Sequence, residues 1–254
     1  MTDHPILFSA PMIRALLREI DAPGMGKTQT RRIIKPQPID NETGGWSWEG
    51  RNGGFVGAAG THVDEGFPQS AAAWSRIQPG DRLWVREAWR THAHYDDLSP
   101  SRMGGEEPVQ YQADRAHQTW GYPSISKIGR ARPSMHMPRW ASRLTLYVTE
   151  VRVQRLQEIS EADAIAEGIL HQNVILDVKC YGGQPIEITA DRHWNGTEPD
   201  EFEGFESASE AYADLWDQIN GPGAWDANPW VVAYTFTPRL GNIDTLPATL
   251  QEAA

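Results

Sequence analysis

Gly26-Lys27-Thr28-Gln29-Thr30-Arg31-Arg32 gathers an ammonium, two hydroxyls and two guanidiniums into seven positions. It follows a segment in which Met12, Ile13, Leu16, Leu17 and Ile20 recur at helical spacing, which predicts an amphipathic helix over about 11–20. Ser9 and Pro11 suit the start of that helix, and Pro23-Gly24 and Gly26 suit its end. From Thr28 to Ile34 the chain reads as extended, ending at Lys35-Pro36 because a residue before proline avoids the helical region. The stretch is therefore a junction from helix to strand, and the other segments are read around it.

Gly24-x-Gly26-Lys27-Thr28 invites comparison with a phosphate-binding loop. That pattern asks for glycine where this chain has Asp21, and for a loop that leaves a strand and opens a helix. The order here is the reverse, which argues against a nucleoside-triphosphatase site. Lys27 has another use, as a base or electrostatic partner for a hydroxyl, since a threonine is a poor nucleophile until a neighbour takes its proton. Desolvation and the nearby Arg31 and Arg32 would depress the lysine pKa toward that role. In a regular strand Lys27 and Thr30 point to opposite faces. Their cooperation requires a turn at 26–28, which Gly26 makes cheap. The competing reading of the same residues is an exposed, charged strand edge.

With 254 residues and 39% hydrophobic content, the chain is long enough for one large domain or two small ones and can bury a core. Its apolar runs are too short to span a bilayer, its first residues lack a signal-peptide pattern, and Cys180 stands alone. A cytoplasmic protein without membrane association is expected. The net charge of −11 opposes general binding of polyanions. The charge is uneven, with Lys127, Arg130, Arg132, Arg139 and Arg143 forming a basic run and residues 191–217 an acidic one. His92-x-His94 lacks a third ligand, so no metal and no cofactor is expected.

Further along, residues 6–8 read as a strand and 38–76 as a long, irregular insertion. Pro79-Gly80-Asp81 reads as a turn into an alternating strand over 82–89, and 91–138 as a second insertion with Val109-Gln110-Tyr111 as a strand inside it. Residues 143–153 give the clearest strand signal. Ser160-Glu161-Ala162-Asp163 starts a short helix that ends at Glu167-Gly168. Residues 171–206 form a third insertion. A helix follows over 208–219 with Ala211, Leu215, Trp216 and Ile219 on one face, then a closing strand over 230–236. The tail over 241–254 is expected to be flexible. Several strands with few helices predict an α+β fold, a small bent sheet or barrel with helices over its openings.

In this order the core blocks resemble the ASCH family, and the long, tryptophan-rich form is most similar to its phage and prophage members. The blocks are 6–8, Gly26–Arg32, Pro79-Gly80-Asp81, the long strand, Ile159-Ser160-Glu161-Ala162-Asp163-Ala164-Ile165-Ala166-Glu167-Gly168 and the closing strand. The resemblance implies a PUA-like small bent β-barrel, one domain over 1–240 carrying three insertions. One branch comprises small bacterial N4-acetylcytidine amidohydrolases, and its catalytic lysine, threonine and glutamate fall on Lys27, Thr30 and Glu167. Arg32 matches an arginine that closes the family motif. Arg31, Trp84 and Arg86 are added as candidate substrate contacts. The implied activity is hydrolysis of an N-acylated nucleoside or nucleobase. Thr30 would attack, Lys27 would take the proton, and Glu167 would serve the leaving nitrogen. Other members of the family are associated with RNA. The alternative is therefore an RNA-binding module, or a ribonuclease, using Lys27, Arg31, Arg32 and the basic run as a phosphate groove.

Overall fold

The computed structural model describes residues 1–40, 45–50, 53–56, 62–118, 127–181, 184–194 and 204–249. Strand β1 (Asp3–Leu7) leads into helix α1 (Ala10–Asp21), which buries Ile13, Ala15 and Leu16 as its periodicity requires. Pro11 lies in its first turn, while Ser9 occupies the N-cap position without a capping side-chain bond. Strand β2 (Gln29–Ile33) holds the basic stretch. Residues 38–76 are more regular than their composition suggests. They carry β3 (Ile39–Asp40), β4 (Trp46–Gly50), β5 (Gly53–Val56) and helix α2 (Val63–Ala73). The α2 pattern is blurred by Gly66 and the internal Pro68, yet its Phe67 is fully buried. There its ring meets Trp46, Trp48 and Trp230 edge-on, with centroids 5.4, 5.4 and 5.1 Å away.

The expected strand over 82–89 is two strands, β6 (Arg82–Arg86) and β7 (Trp89–Arg90), and the latter pairs with β8 (Val109–Tyr111), which pairs in turn with β9 (His117–Gln118). Strand β10 (Leu144–Arg155) and helix α3 (Glu161–Ala166) follow as expected. The third insertion is a long antiparallel hairpin, β11 (Leu170–Tyr181) with β12 (Gln184–Trp194). Helix α4 (Ala208–Asn220) buries Ala211, Tyr212 and Trp216, whereas Ile219, expected on that face, is exposed. Strand β13 (Trp230–Leu240) is the last element.

These elements form two compact units, each assembled from separated segments. The first comprises 1–24, 77–150 and 235–254. In it β1 runs parallel to β6, pairing Asp3 with Arg82 and Leu7 with Arg86, and β6 pairs antiparallel with β10. A side cluster of Trp89, Val109, Tyr111 and Met137 packs under the small β7–β8–β9 sheet. Residues 241–247, expected to be flexible, are instead anchored. Arg82 donates to the carbonyls of Ile243, Leu246 and Pro247, Tyr147 donates to that of Pro247, and Ile243 is buried.

The second unit comprises 25–76 and 151–234. Its core joins Leu156, Ile159 and Ala164 around α3 to Ala211, Tyr212 and Trp216 of α4. Ile34 donates its N–H to the carbonyl of Trp230, continuing the edge of β2 beside β13. The fold is α+β, and among the described residues no sheet closes into a barrel. Among the same residues no helix is long and apolar enough to cross a membrane.

Candidate active site

The site forms where the start of β2 meets the end of α3. The Thr28 N–H donates to the carbonyl of Ala166 at 2.8 Å, which fixes Lys27 beside Glu167. Glu167 caps α3, and Gly168 follows at φ 100°, a conformation that suits glycine. A carboxylate at a helix C-terminus faces the negative end of the dipole, so it needs cations. Lys27 supplies one. Its Nζ lies 2.6 Å from Glu167 Oε2 and also donates to the Glu167 backbone carbonyl at 2.7 Å. Arg31 supplies another, its Nη1 donating to Glu167 Oε1 at 3.1 Å.

Two periodicities bring these groups together. Gln29 and Arg31 share one face of β2, and Asp163 and Glu167 stand four residues apart on one face of the α3 turn. Arg31 therefore spans both carboxylates, its Nη2 reaching Asp163 Oδ2 at 3.0 Å. Gln29 Nε2 and Arg152 Nη2 donate to Asp163 Oδ1 at 3.2 and 2.9 Å. Tyr212 of α4 completes the set, its ring 5.9 Å beneath the Arg31 guanidinium and its hydroxyl hydrogen-bonded to Glu167.

Lys27 is fully buried, and Arg31 and Glu167 nearly so. Burial lowers the Lys27 pKa, Glu167 opposes that shift, and the charges of Arg32 and Arg31 reinforce it. Burial likewise lowers that of Arg32, opposed by Glu167 and by the hydroxyls of Tyr212 and Tyr234. Arg31 and Arg32 act on Lys27 together with Glu167, and Arg31 and Arg152 both bind Asp163. Such a pocket holds a lysine that gives up its proton readily and favours negative charge developing nearby.

No family model, curated protein or solved structure matches the chain. The geometry is then the only guide to the expected site residues. It brings Lys27, Glu167 and Arg31 into direct contact and places Arg32 within their field. Thr30 is buried in β2, but strand alternation directs it away from the face of Gln29 and Arg31. No hydrogen bond joins its hydroxyl to Lys27 or Glu167 among the described residues. Trp84 and Arg86 belong to the first unit. There the Arg86 guanidinium lies 5.3 Å over the Trp84 ring and donates to the carbonyls of Met135 and Met137. His92 and His94 bond each other locally, His92 Nδ1 accepting from the His94 N–H.

Sequence reading missed Asp163, Gln29, Arg152 and Tyr212 as members of the site. Asp163 was legible as the far end of a capping box, and Ser160 does accept from its N–H. Its carboxylate has the further task of holding Arg31. Tyr212 gave no local signal, because it meets the site only through packing of α4 on α3.

Proposed function

We propose that the chain is a PUA-like protein of the ASCH kind that hydrolyses the amide of an N-acylated nucleoside or nucleobase. The observation that carries this reading is the fully buried Lys27, hydrogen-bonded at 2.6 Å to Glu167 and surrounded by guanidiniums. Desolvation gives a lysine poised as a base, and Glu167 beside it is placed to receive that proton and return it to a leaving nitrogen. Arg31 and Arg32 favour the oxyanion that forms when the acyl carbonyl is attacked. By resemblance Thr30 is the attacking group, and water then releases the acyl product. The position of Thr30 on the other face of β2 makes water activated directly by Lys27 the competing nucleophile.

The test is chromatographic release of cytidine from N4-acetylcytidine. Wild type is expected to release it, and Lys27→Ala and Glu167→Gln to lose at least 100-fold in rate. Thr30→Ala separates the two nucleophiles, because loss of activity assigns Thr30 and retention assigns water. Absence of release by well-folded wild type on this substrate and on other N-acylated nucleosides removes the hydrolase reading.

A further inference from the structure

The second unit contains a cavity of about 230 Å³ that the Lys27–Glu167 cluster does not use. Its walls come from β4, β13, the end of β2 and the end of α2. Clefts for drug-sized ligands run to about 300–1,000 Å³, so this one suits a single ring system with a substituent leaving through the mouth. Three of its walls are aromatic, namely Trp48, Trp74 and Tyr234. Trp74 is 51% exposed. Val153 and Val232 make an aliphatic floor. Polar recognition is present at one point, where Ser75 Oγ and the Tyr234 hydroxyl lie 3.2 Å apart.

The mouth is cationic. Lys35 and Arg76 line it, both exposed, and among the described residues the lining contains no aspartate or glutamate. Among the described residues neither makes an ion pair or hydrogen bond, in a chain whose other cations are so often engaged by carboxylates, as Arg31, Arg82, Arg139 and Arg143 are. Two exposed cations at the edge of an aromatic cavity suit an anion in a molecule of net charge −11. Tyr234 also links the cavity to the site, since it interacts with Arg32, which interacts in turn with Glu167.

We infer that this cavity binds a nucleoside 5′-monophosphate, with the base against Trp48, Trp74 and Tyr234 and the phosphate between Lys35 and Arg76. Stacking on these rings is tolerant of base identity, whereas the two cations discriminate a nucleotide from its nucleoside. This rests on the amidohydrolase reading only for what is done to the ligand, and binding is measurable without turnover.

The experiment is calorimetric titration of the intact chain with CMP, cytidine, inorganic phosphate and a short single-stranded RNA. CMP is expected to bind at least tenfold more tightly than cytidine or phosphate. The double variant Lys35→Ala/Arg76→Ala is expected to bring CMP down to the affinity of cytidine, and Trp74→Ala to weaken both. These exposed positions leave the fold intact, which circular dichroism verifies. CMP binding no tighter than cytidine, or unchanged in the double variant, overturns the proposal. Phosphate alone matching CMP reduces the cavity to an anion site, and RNA outcompeting CMP reassigns it to a polymer, so both also overturn it. Loss of hydrolysis without loss of CMP binding, or the reverse, tells the failure of one reading from that of the other.

Discussion

Lys27 sits where burial, reinforced by Arg32 and Arg31, opposes its charge, and Glu167 is what holds it there. Breaking a buried pair by removing one partner leaves an uncompensated charge, which costs about 3–5 kcal/mol. Lys27→Met is expected to lose stability on that scale in urea denaturation, and the added change Glu167→Gln to recover part of it. A loss under about 1 kcal/mol for the single variant would show that Arg31 compensates Glu167 unaided. The lowered Lys27 pKa has a kinetic counterpart. A base must be unprotonated to act, so the hydrolysis rate should rise with pH on a limb whose midpoint lies below the ordinary 10.5. The Asp163 pKa is lowered as well. Burial raises its pKa, but Arg152 and Arg31 outweigh this and hold it below the usual 3.8. Its contribution is thus complete above about pH 4 and lost as pH falls through the folded-state value. Asp163→Asn should flatten the acid limb of stability, read as the difference between denaturation at pH 7 and pH 3. Lys27, Arg31 and Glu167 were legible because each sits in a short motif with unusual chemistry. Tyr212 was not, because its role depends on α4 lying against α3, and such a contact leaves no local trace.

At the scale of elements, the site depends on how α3 ends. Ser160 accepts the Asp163 N–H at the start of the helix, and Gly168 turns the chain at φ 100° after its last turn. Ser160→Ala should cost about 0.5–2 kcal/mol, and Gly168→Ala about 1–2 kcal/mol for forcing a Cβ into a left-handed conformation. Both should lower activity more than stability if Glu167 shifts from Lys27, which parallel melting and rate measurements will tell. The elements easiest to read were those with clean periodicity, namely α1, β10 and β13. Helix α2 was hidden because its packing demands break its pattern. A Cβ at Gly66 would stand 2.9 Å from Trp46 Nε1, so glycine is required there even though it weakens a helix. Phe67 carries what the pattern lacks, and Phe67→Ala should cost about 3–5 kcal/mol by opening the cluster of Trp46, Trp48 and Trp230. The β11–β12 hairpin had a signal that composition obscured, since Gly182-Gly183 between two strand-like runs is a two-residue hairpin spacing.

At the scale of the whole molecule, the division into two units is not written in any one stretch, because each unit draws on segments far apart in the chain. Charge is the whole-molecule property that does bear on function. The run from Lys127 to Arg143 reads in sequence as a groove for phosphates, but three of its four arginines already have partners, while Lys127 and Arg130 are exposed. Arg139 is bound by Asp3 and Asp244, Arg143 by Glu87 and Asp114, and Arg132 is buried, donating to the Tyr95 carbonyl. Of the other cations of that groove, Lys27 and Arg31 are buried and held by Glu167 and Asp163, and Arg32 lies within the field of Glu167. Freeing Arg139, Arg143, Lys27 or Arg31 for a polymer would strand a carboxylate, a cost that phosphate contacts at the surface do not repay. A single-stranded RNA held by several phosphates loses affinity with salt at a log–log slope of about −0.7 per contact. The expectation here is weak binding with a slope no steeper than about −1.5, the equivalent of about two contacts, across 50–200 mM salt. A slope of −3 or steeper means about four phosphate contacts, and in that case an exposed basic surface, not the buried lysine, is where function should be sought.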